Sequence, residues 1–266
     1  LTSQQTQTTM NTEANRKTEW VVGIGEALWD ILPEGRKIGG APANFAYHMS
    51  QFGLRSYAVS AVGDDEAGRE LRNQLREKRV GHMLETVPFP TGTVQVTLDK
   101  AGVPAYDIKE GVAWDNIPFT PEMESLARGC RAVCFGSLAQ RSPVSHRTIG
   151  RFLETMPDGE GQYKVFDINL RQHFYSPEVV HDSLCRSNIL KTNDEELTVV
   201  SRMFGIQAQC RDLLEKYGLR TVILTCGAVG SHVFTPDGMS YVATPHVEVA
   251  DGVGAGDSFT AQIRKE

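Results

Sequence analysis

No apolar run in this chain of 266 residues approaches the ~20 that a transmembrane helix needs, which excludes a bilayer-spanning helix. Basic charge is scarce as well. Lys and Arg number 27 against 33 Asp and Glu, a formal net charge of −6, and no basic cluster occurs of the kind that neutralising nucleic-acid phosphates requires. The partner class favoured is a small molecule, with neither nucleic acid nor membrane. The 5 cysteines, Cys130, Cys134, Cys185, Cys210 and Cys226, are odd in number and form no CxxC pair. That fits neither a disulfide framework nor a zinc site and suits a reducing cytoplasm. No Gly-Lys-Ser/Thr string occurs, so a P-loop NTPase is excluded. The dinucleotide fingerprint fails at Gly23-Ile24-Gly25, where Glu26, Ala27 and Leu28 follow without the third glycine. Neither an HExxH motif nor a serine elbow is present.

What is present is a composition of 40% hydrophobic and 23% charged residues, with enough chain to bury a sizeable core. Residues 1–18 are Thr- and Gln-rich without periodic apolar positions, and we expect a disordered leader there; the chain opens on Leu1, with Met10 inside that leader. One domain is expected over 19–266. Short β-branched or apolar runs at Trp20–Ile24, Tyr57–Val62, Ala132–Phe135, Lys164–Ile168, Asn188–Leu190 and Thr221–Leu224 read as strands. Helical segments are expected at Pro42–Phe52, Asp65–Lys78, Pro143–Met156, Pro177–Arg186, Asp194–Phe204 and Ala208–Tyr217. Strands alternating with helices predict a parallel sheet covered on both faces. Two antiparallel hairpins break the pattern, Thr91–Lys109 turning near Lys100 and Ser231–Val242 turning at Pro236-Asp237-Gly238. The first, with the region around 28–38, predicts a small separate sheet that could serve as a lid over 28–38 and 91–109.

In an open parallel sheet, ligands bind beyond the carboxyl ends of the strands, and the residues at those positions here are polar or glycine. They are Glu26 and Asp30, then Asn169 and Arg171, then Asn193 and Glu196, then Thr225, Gly227 and Gly230. Each alone is also an ordinary turn residue. Gly39-Gly40-Ala41-Pro42-Ala43-Asn44 places a glycine pair before a helix, permitting close approach of backbone to a ligand, with an amide one turn in that suits vicinal hydroxyls. The strongest local signal is Asp251-Gly252-Val253-Gly254-Ala255-Gly256-Asp257-Ser258-Phe259. A glycine-rich turn into a helix N-terminus is a ready anion site, and Asp257 in the first turn would stay ionised and able to accept a proton. The plainer reading is an Asp cap on a glycine-rich loop.

These spaced motifs share one resemblance. Gly25 to Asp30, Gly39 to Asn44, Val62-Gly63-Asp64-Asp65, Asp167-Ile168-Asn169-Leu170-Arg171, Asn193-Asp194-Glu195-Glu196, Thr225 to Gly230 and the closing Gly254-Ala255-Gly256-Asp257 run in order between about 20 and 261. They resemble the signatures of the ribokinase-like (PfkB-type) carbohydrate kinases, and within them those of bacterial fructokinases. The resemblance implies an α/β fold of three layers, α/β/α, with a mostly parallel central sheet and a small β lid. It implies transfer of phosphate from ATP to a sugar hydroxyl. Asp257 would take the hydroxyl proton, and the amides of Gly254, Ala255 and Gly256 would form the anion hole. Asp30, Gly39, Gly40 and Asn44 would hold sugar hydroxyls, joined by Gln95 on the hairpin, with Val94 as the competing choice. Asn193 and Glu196 would lie at the phosphate and Mg2+ region, Glu196 acting on the metal indirectly. Asn169, Arg171 and the loop from Thr225 through Gly227 to Gly230 would face ATP, with Arg171 touching both substrates.

The same resemblance places Asp251 in a loop that binds a monovalent cation such as K+ in the family, although Gly252 stands where the family usually has Thr. Fructose is the expected sugar, since the hairpin offers Tyr106, Asp107 and Ile108 where relatives acting on acidic sugars present Arg, and an aspartate would repel a carboxylate. 2-Keto-3-deoxygluconate and ribose are the neighbouring substrates. Relatives continue well past the second signature, so the resemblance implies a C-terminally truncated chain, with a non-catalytic sugar-binding fragment as the alternative expectation. A homodimer through the lid is the expected assembly.

Overall fold

The structure, a computed structural model, describes residues 20–33, 35–98, 104–207 and 209–244. The expected leader, the turn near Lys100 and the whole segment from Asp251 to Asp257 lie outside the described residues. The chain begins with strand β1 (Trp20–Ile24), the hairpin β2 (Leu28–Leu32) and β3 (Gly35–Gly39), helix α1 (Ala41–Gln51), β4 (Ser56–Gly63), α2 (Glu66–Glu77) and β5 (Gly81–Val87). The hairpin β6 (Thr93–Leu98) and β7 (Pro104–Ile108) follows, then α3 (Pro121–Arg128), β8 (Cys130–Phe135), α4 (Pro143–Thr155) and β9 (Tyr163–Asp167). The remainder is α5 (Pro177–Arg186), β10 (Ile189–Asn193), α6 (Asp194–Phe204), α7 (Cys210–Tyr217), β11 (Thr221–Thr225), β12 (Gly230–Thr235) and β13 (Gly238–Ala243).

Nine strands form one sheet in the order β13-β12-β11-β10-β9-β8-β1-β4-β5, parallel from β5 through β11 and closed at one edge by the antiparallel hairpin β12–β13. Successive residues along each strand enter different cores, because strand side chains alternate between faces. Val21, Ala132, Val165 and Ile189 pack with Phe45 and Met49 of α1. Their chain neighbours Val22, Val133, Phe166 and Leu190 pack instead with Ile149 and Phe152 of α4 and Val180 of α5. The sheet is therefore buried on both sides, giving three layers. Phe135 stacks on Phe166 at 5.3 Å between ring centres, and each such buried aromatic contributes about 1.5–3 kcal/mol.

The helices start where the sequence supplies caps. Asp65 accepts from the Gly68 amide at 2.7 Å, Thr120 from Met123 and Ser176 from Val179, with Pro in the first turn of the latter two helices. Among the described residues, every strand and helix expected from the sequence is present to within a few residues. Two elements were not expected. β5 is a half-buried edge strand of sequence GHMLETV, and α3 is a helix of 8 residues.

The small sheet forms as expected from two hairpins, in the order β3-β2-β6-β7. Its register is Leu28 opposite Gly39, Asp30 opposite both Lys37 and Val94, and Val94 opposite Ile108. Leu28, Asp30, Lys37, Val94 and Ile108 thus share one face. Trp29, Ile31, Arg36 and Gln95 share the other, which docks on α2: Trp29 Nε1 donates to Ala67 O at 3.0 Å, and Arg36 lies over the Trp29 ring while pairing with Glu70.

Candidate active site

Of the residues singled out from the sequence, most of those among the described residues fall in two groups at the carboxyl edge of the large sheet. The first lies where β1 passes into the small sheet. Gly23 faces the carbonyl of Pro42 so closely that a Cβ would sit 1.9 Å from it, so α1 packs backbone against backbone on β1. Gly40 enters that helix at φ +104, with Glu26 O only 2.2 Å from where its Cβ would be. Only glycine accommodates both constraints. A Cβ on Gly39 would lie 2.1 Å from Asp30 Oδ2, so the missing side chain makes room for the Asp30 carboxylate. The Asn44 amide donates to Gly40 O at 2.9 Å, fixing it in the first turn of α1. Asp30, Gly39, Gly40 and Asn44 therefore form one constellation.

Gln95 does not join it. Its side chain is exposed on the opposite face and donates to Ile31 O at 3.2 Å, whereas Val94 is paired with Asp30 and buried on the same face. Asp107 is also displaced from that face: it pairs with Gln95 in register and its carboxylate binds Lys109 Nζ at 2.6 Å. Its charge therefore carries no argument against an acidic sugar.

The second group lies at the ends of β9, β10 and β11. Asn193 and Thr225 are register partners, and Thr225 Oγ1 donates to Thr192 O at 3.4 Å. Glu196 is buried and holds this region together. Its Oε1 accepts from the Leu170 amide at 3.0 Å and its Oε2 from the Asn193 amide at 3.0 Å. Asn193 reciprocates by accepting from the Glu196 amide at 2.8 Å, a capping box for α6. Burial pushes the Glu196 carboxyl above the ordinary carboxylate value, against the opposing pull of these amides and of Lys191.

Between Asp167 and Phe174 the main chain bends sharply, with Asn169 at φ +44 and Gln172 at φ +48 bracketing Arg171. Non-glycine residues in this region of conformational space signal a constrained loop. Beyond β11, the turn is closed by Cys226 N donating to Gly230 O at 2.8 Å, with Gly227 at φ +53 exposed and open to solvent.

Sequence reasoning passed over one buried ion pair beneath this edge. Lys191 Nζ reaches Asp167 Oδ1 at 3.0 Å, with side chains only 9% and 3% exposed. The signal was a lysine inside the apolar strand β10 opposite an aspartate ending β9, since charged residues are seldom buried unpaired. Among the described residues no group of three or more His, Cys, Asp or Glu is placed to hold a metal ion. Both Glu196 oxygens are engaged by main-chain amides, so this carboxylate ties the Leu170 loop to the start of α6. No helix among the described residues is long and apolar enough to cross a membrane.

A parallel sheet with glycine-rich, polar turns along its carboxyl edge is the layout of an α/β protein that binds small molecules at that edge. Comparison with known proteins narrows the class. The pattern of the pfkB family carbohydrate kinases matches residues 33–263, and the chain belongs to that family. It is 30% identical over 257 residues to a fructokinase of Klebsiella pneumoniae, covering 92% of this chain and 82% of the relative. The fructokinase of Xylella fastidiosa with bound ATP superposes with a TM-score of 0.82 at 21% identity, covering 92% of this chain and 80% of that one, which establishes the ribokinase-like fold. A fructokinase of Vibrio cholerae in a fructose, ADP and calcium ion bound form superposes with a TM-score of 0.74 at 26% identity, covering 92% and 82%.

Proposed function

We propose that this carbohydrate kinase transfers the γ-phosphoryl group of ATP to fructose, giving fructose 6-phosphate. The observation that carries the reading is the Asp30–Gly39–Gly40–Asn44 constellation. It sets a carboxylate and an amide beside main chain stripped of side chains, on a face otherwise lined by Leu28, Val94 and Ile108. A carboxylate and an amide accept and donate to vicinal hydroxyls, and apolar neighbours exclude water from the acceptor. Val94, in place of Gln95, is the residue of β6 that faces the sugar. The fructokinase relatives support the choice of a ketohexose.

In this reading Asp257 removes the proton from the attacking hydroxyl as the oxygen bonds to phosphorus, and the amides of Gly254, Ala255 and Gly256 receive the developing charge on the transferred group. The family match runs through this signature to residue 263, which supports the assignment. Arg171, on its constrained loop, meets phosphate oxygens between the two substrates, and Asn169, Asn193, Thr225, Gly227 and Gly230 line the ATP side. Magnesium, when bound, neutralises phosphate charge; Glu196 holds the loop and helix end that face it. Asp251 is the residue proposed for a monovalent cation loop. The small sheet acts as the lid, and its outer surface is the proposed dimer contact.

A second reading has its own observation. Lys37 stands opposite Asp30 on the same face, and a cation there suits a sugar acid such as 2-keto-3-deoxygluconate. ADP release measured with ATP, Mg2+ and each of fructose, ribose and 2-keto-3-deoxygluconate separates the two. Fructose should give a kcat/KM at least about tenfold above the others, a preference of ~1.4 kcal/mol. The sugar acid leading instead, with K37M abolishing its advantage, would replace fructose as the substrate.

A further inference from the structure

Arg141 ends a short 3-10 turn, Leu138–Arg141, that has no part in the site described above. Its guanidinium is almost fully buried at 7% exposure and forks onto Asp115, itself 8% exposed, with Nε to Oδ1 at 2.8 Å and Nη2 to Oδ2 at 3.0 Å. The same Nη2 donates to Lys109 O at 2.5 Å, and Lys109 is the residue at which the chain leaves β7. The guanidinium plane is held between two rings, 4.0 Å from the centre of Trp114 and 4.5 Å from that of Phe174.

Those partners belong to three parts of the chain. Trp114 presses on Gly92, where the chain enters β6, so closely that a Cβ on Gly92 would sit 2.2 Å from Nε1. Lys109 marks the exit from the small sheet. Phe174 closes the loop that carries Arg171, its amide donating to Arg171 O at 3.0 Å. A second tie runs in parallel: Gln172, at φ +48 in that same loop, donates from Nε2 to Tyr106 O in β7 at 2.6 Å.

We propose that Arg141 is a positioning residue that locks the hinge of the small sheet to the Arg171 loop, so that closure over the sugar and placement of the Arg171 guanidinium form one event. The inference rests on the reading of the small sheet as the sugar lid and deepens it. A planar fork that bonds two acceptors and stacks on two rings transmits orientation, and lysine, with a compact head and no plane, cannot replace it. An ion pair removed from water is a weak source of stability in itself, which is consistent with its retention for geometry.

The coupling is read first without substrate, by hydrogen exchange on the full chain. R141K should raise amide exchange together in residues 105–108 and in residues 170–174, by about tenfold, because both segments lose the same anchor. Q172A, a change at an exposed side chain that leaves the core intact, should raise exchange in the same two segments to a smaller extent. A rise confined to one segment in both variants would overturn the coupling whatever the protein phosphorylates.

Kinetics then tests the consequence. In R141K and Q172A the kcat/KM for the sugar should fall about tenfold or more while the KM for ATP stays within about twofold. Folded variants with unchanged sugar kcat/KM would reduce Arg141 to a structural tie and overturn its positioning role. A wild-type protein that phosphorylates no sugar would overturn the proposed function, while the exchange result would stand or fall independently.

Discussion

At the scale of single residues, the site is defined as much by missing side chains as by present ones. Gly39 exists because Asp30 occupies its Cβ volume, and Gly40 because its φ of +104 and the Glu26 carbonyl leave no alternative. Glu196 is the opposite case, a carboxylate whose two oxygens are fully used by the Leu170 and Asn193 amides. Replacing it with glutamine turns one acceptor into a donor facing a buried N–H. E196Q should cost about 1–3 kcal/mol of stability, read as a lower denaturant midpoint. The pH dependence has a definite sign. Because burial raises the folded-state pKa of Glu196, its contribution is greatest below the unfolded value near ~4.3 and declines as pH rises through the folded value. Stability of E196Q should therefore lack the decline that wild type shows just above that pH.

Residue-level legibility in the sequence was uneven for a physical reason. The glycine pair Gly39-Gly40 before a Pro-started helix was readable as a place of close backbone approach, whereas the role of these glycines with Asp30 and Asn44 toward a sugar was implied only by the family resemblance. Gln95 was misplaced because neighbouring strand residues point to opposite faces, and only the observed register shows that Val94 accompanies Asp30. The pairs Lys191–Asp167 and Arg141–Asp115 were hidden because each joins residues 24 or 26 positions apart. A charged residue inside an apolar strand, as at Lys191, signals that a partner exists, but only the strand pairing says which residue it is.

At the scale of elements, the decisive contact is between α1 and β1, where the Pro42 carbonyl approaches Gly23 and the helix starts from Gly40. This approach sets the helix N-terminus directly after Gly39, the residue against which the Asp30 carboxylate packs. G40A should therefore do more than strain the backbone by the roughly 1–3 kcal/mol of an unfavourable φ. It should push the helix start away from β2 and weaken sugar binding about tenfold or more, measured by calorimetry, with nucleotide binding little changed. The strands and helices themselves were legible because each buried strand is a short β-branched run and most helices carry their own caps. β5 was not, because its exposed edge admits His and Glu, and α3 was not although α7, equally short, was.

For the whole molecule, the order of strands determines the chemistry that can occur. The Asp30 group lies at the end of β1 and the Asn193–Thr225 group at the ends of β9 to β11, with β8 between β1 and β9. Two ligands seated along one carboxyl edge can thus approach each other above it, which is the arrangement a transfer between them needs. The layered α/β fold and its small second sheet were readable from alternating runs and two hairpin turns, and the order of strands was not, because pairing depends on contacts distant in sequence. The central claim is that Asp257 of this carbohydrate kinase removes the proton from a hydroxyl of fructose as it attacks ATP. The most direct test compares wild type with D257N for fructose 6-phosphate formation and for fructose binding by calorimetry. The account predicts a loss of turnover of at least about a hundredfold, the scale of general base catalysis, with fructose affinity changed by no more than a few-fold. Turnover retained in D257N would contradict it.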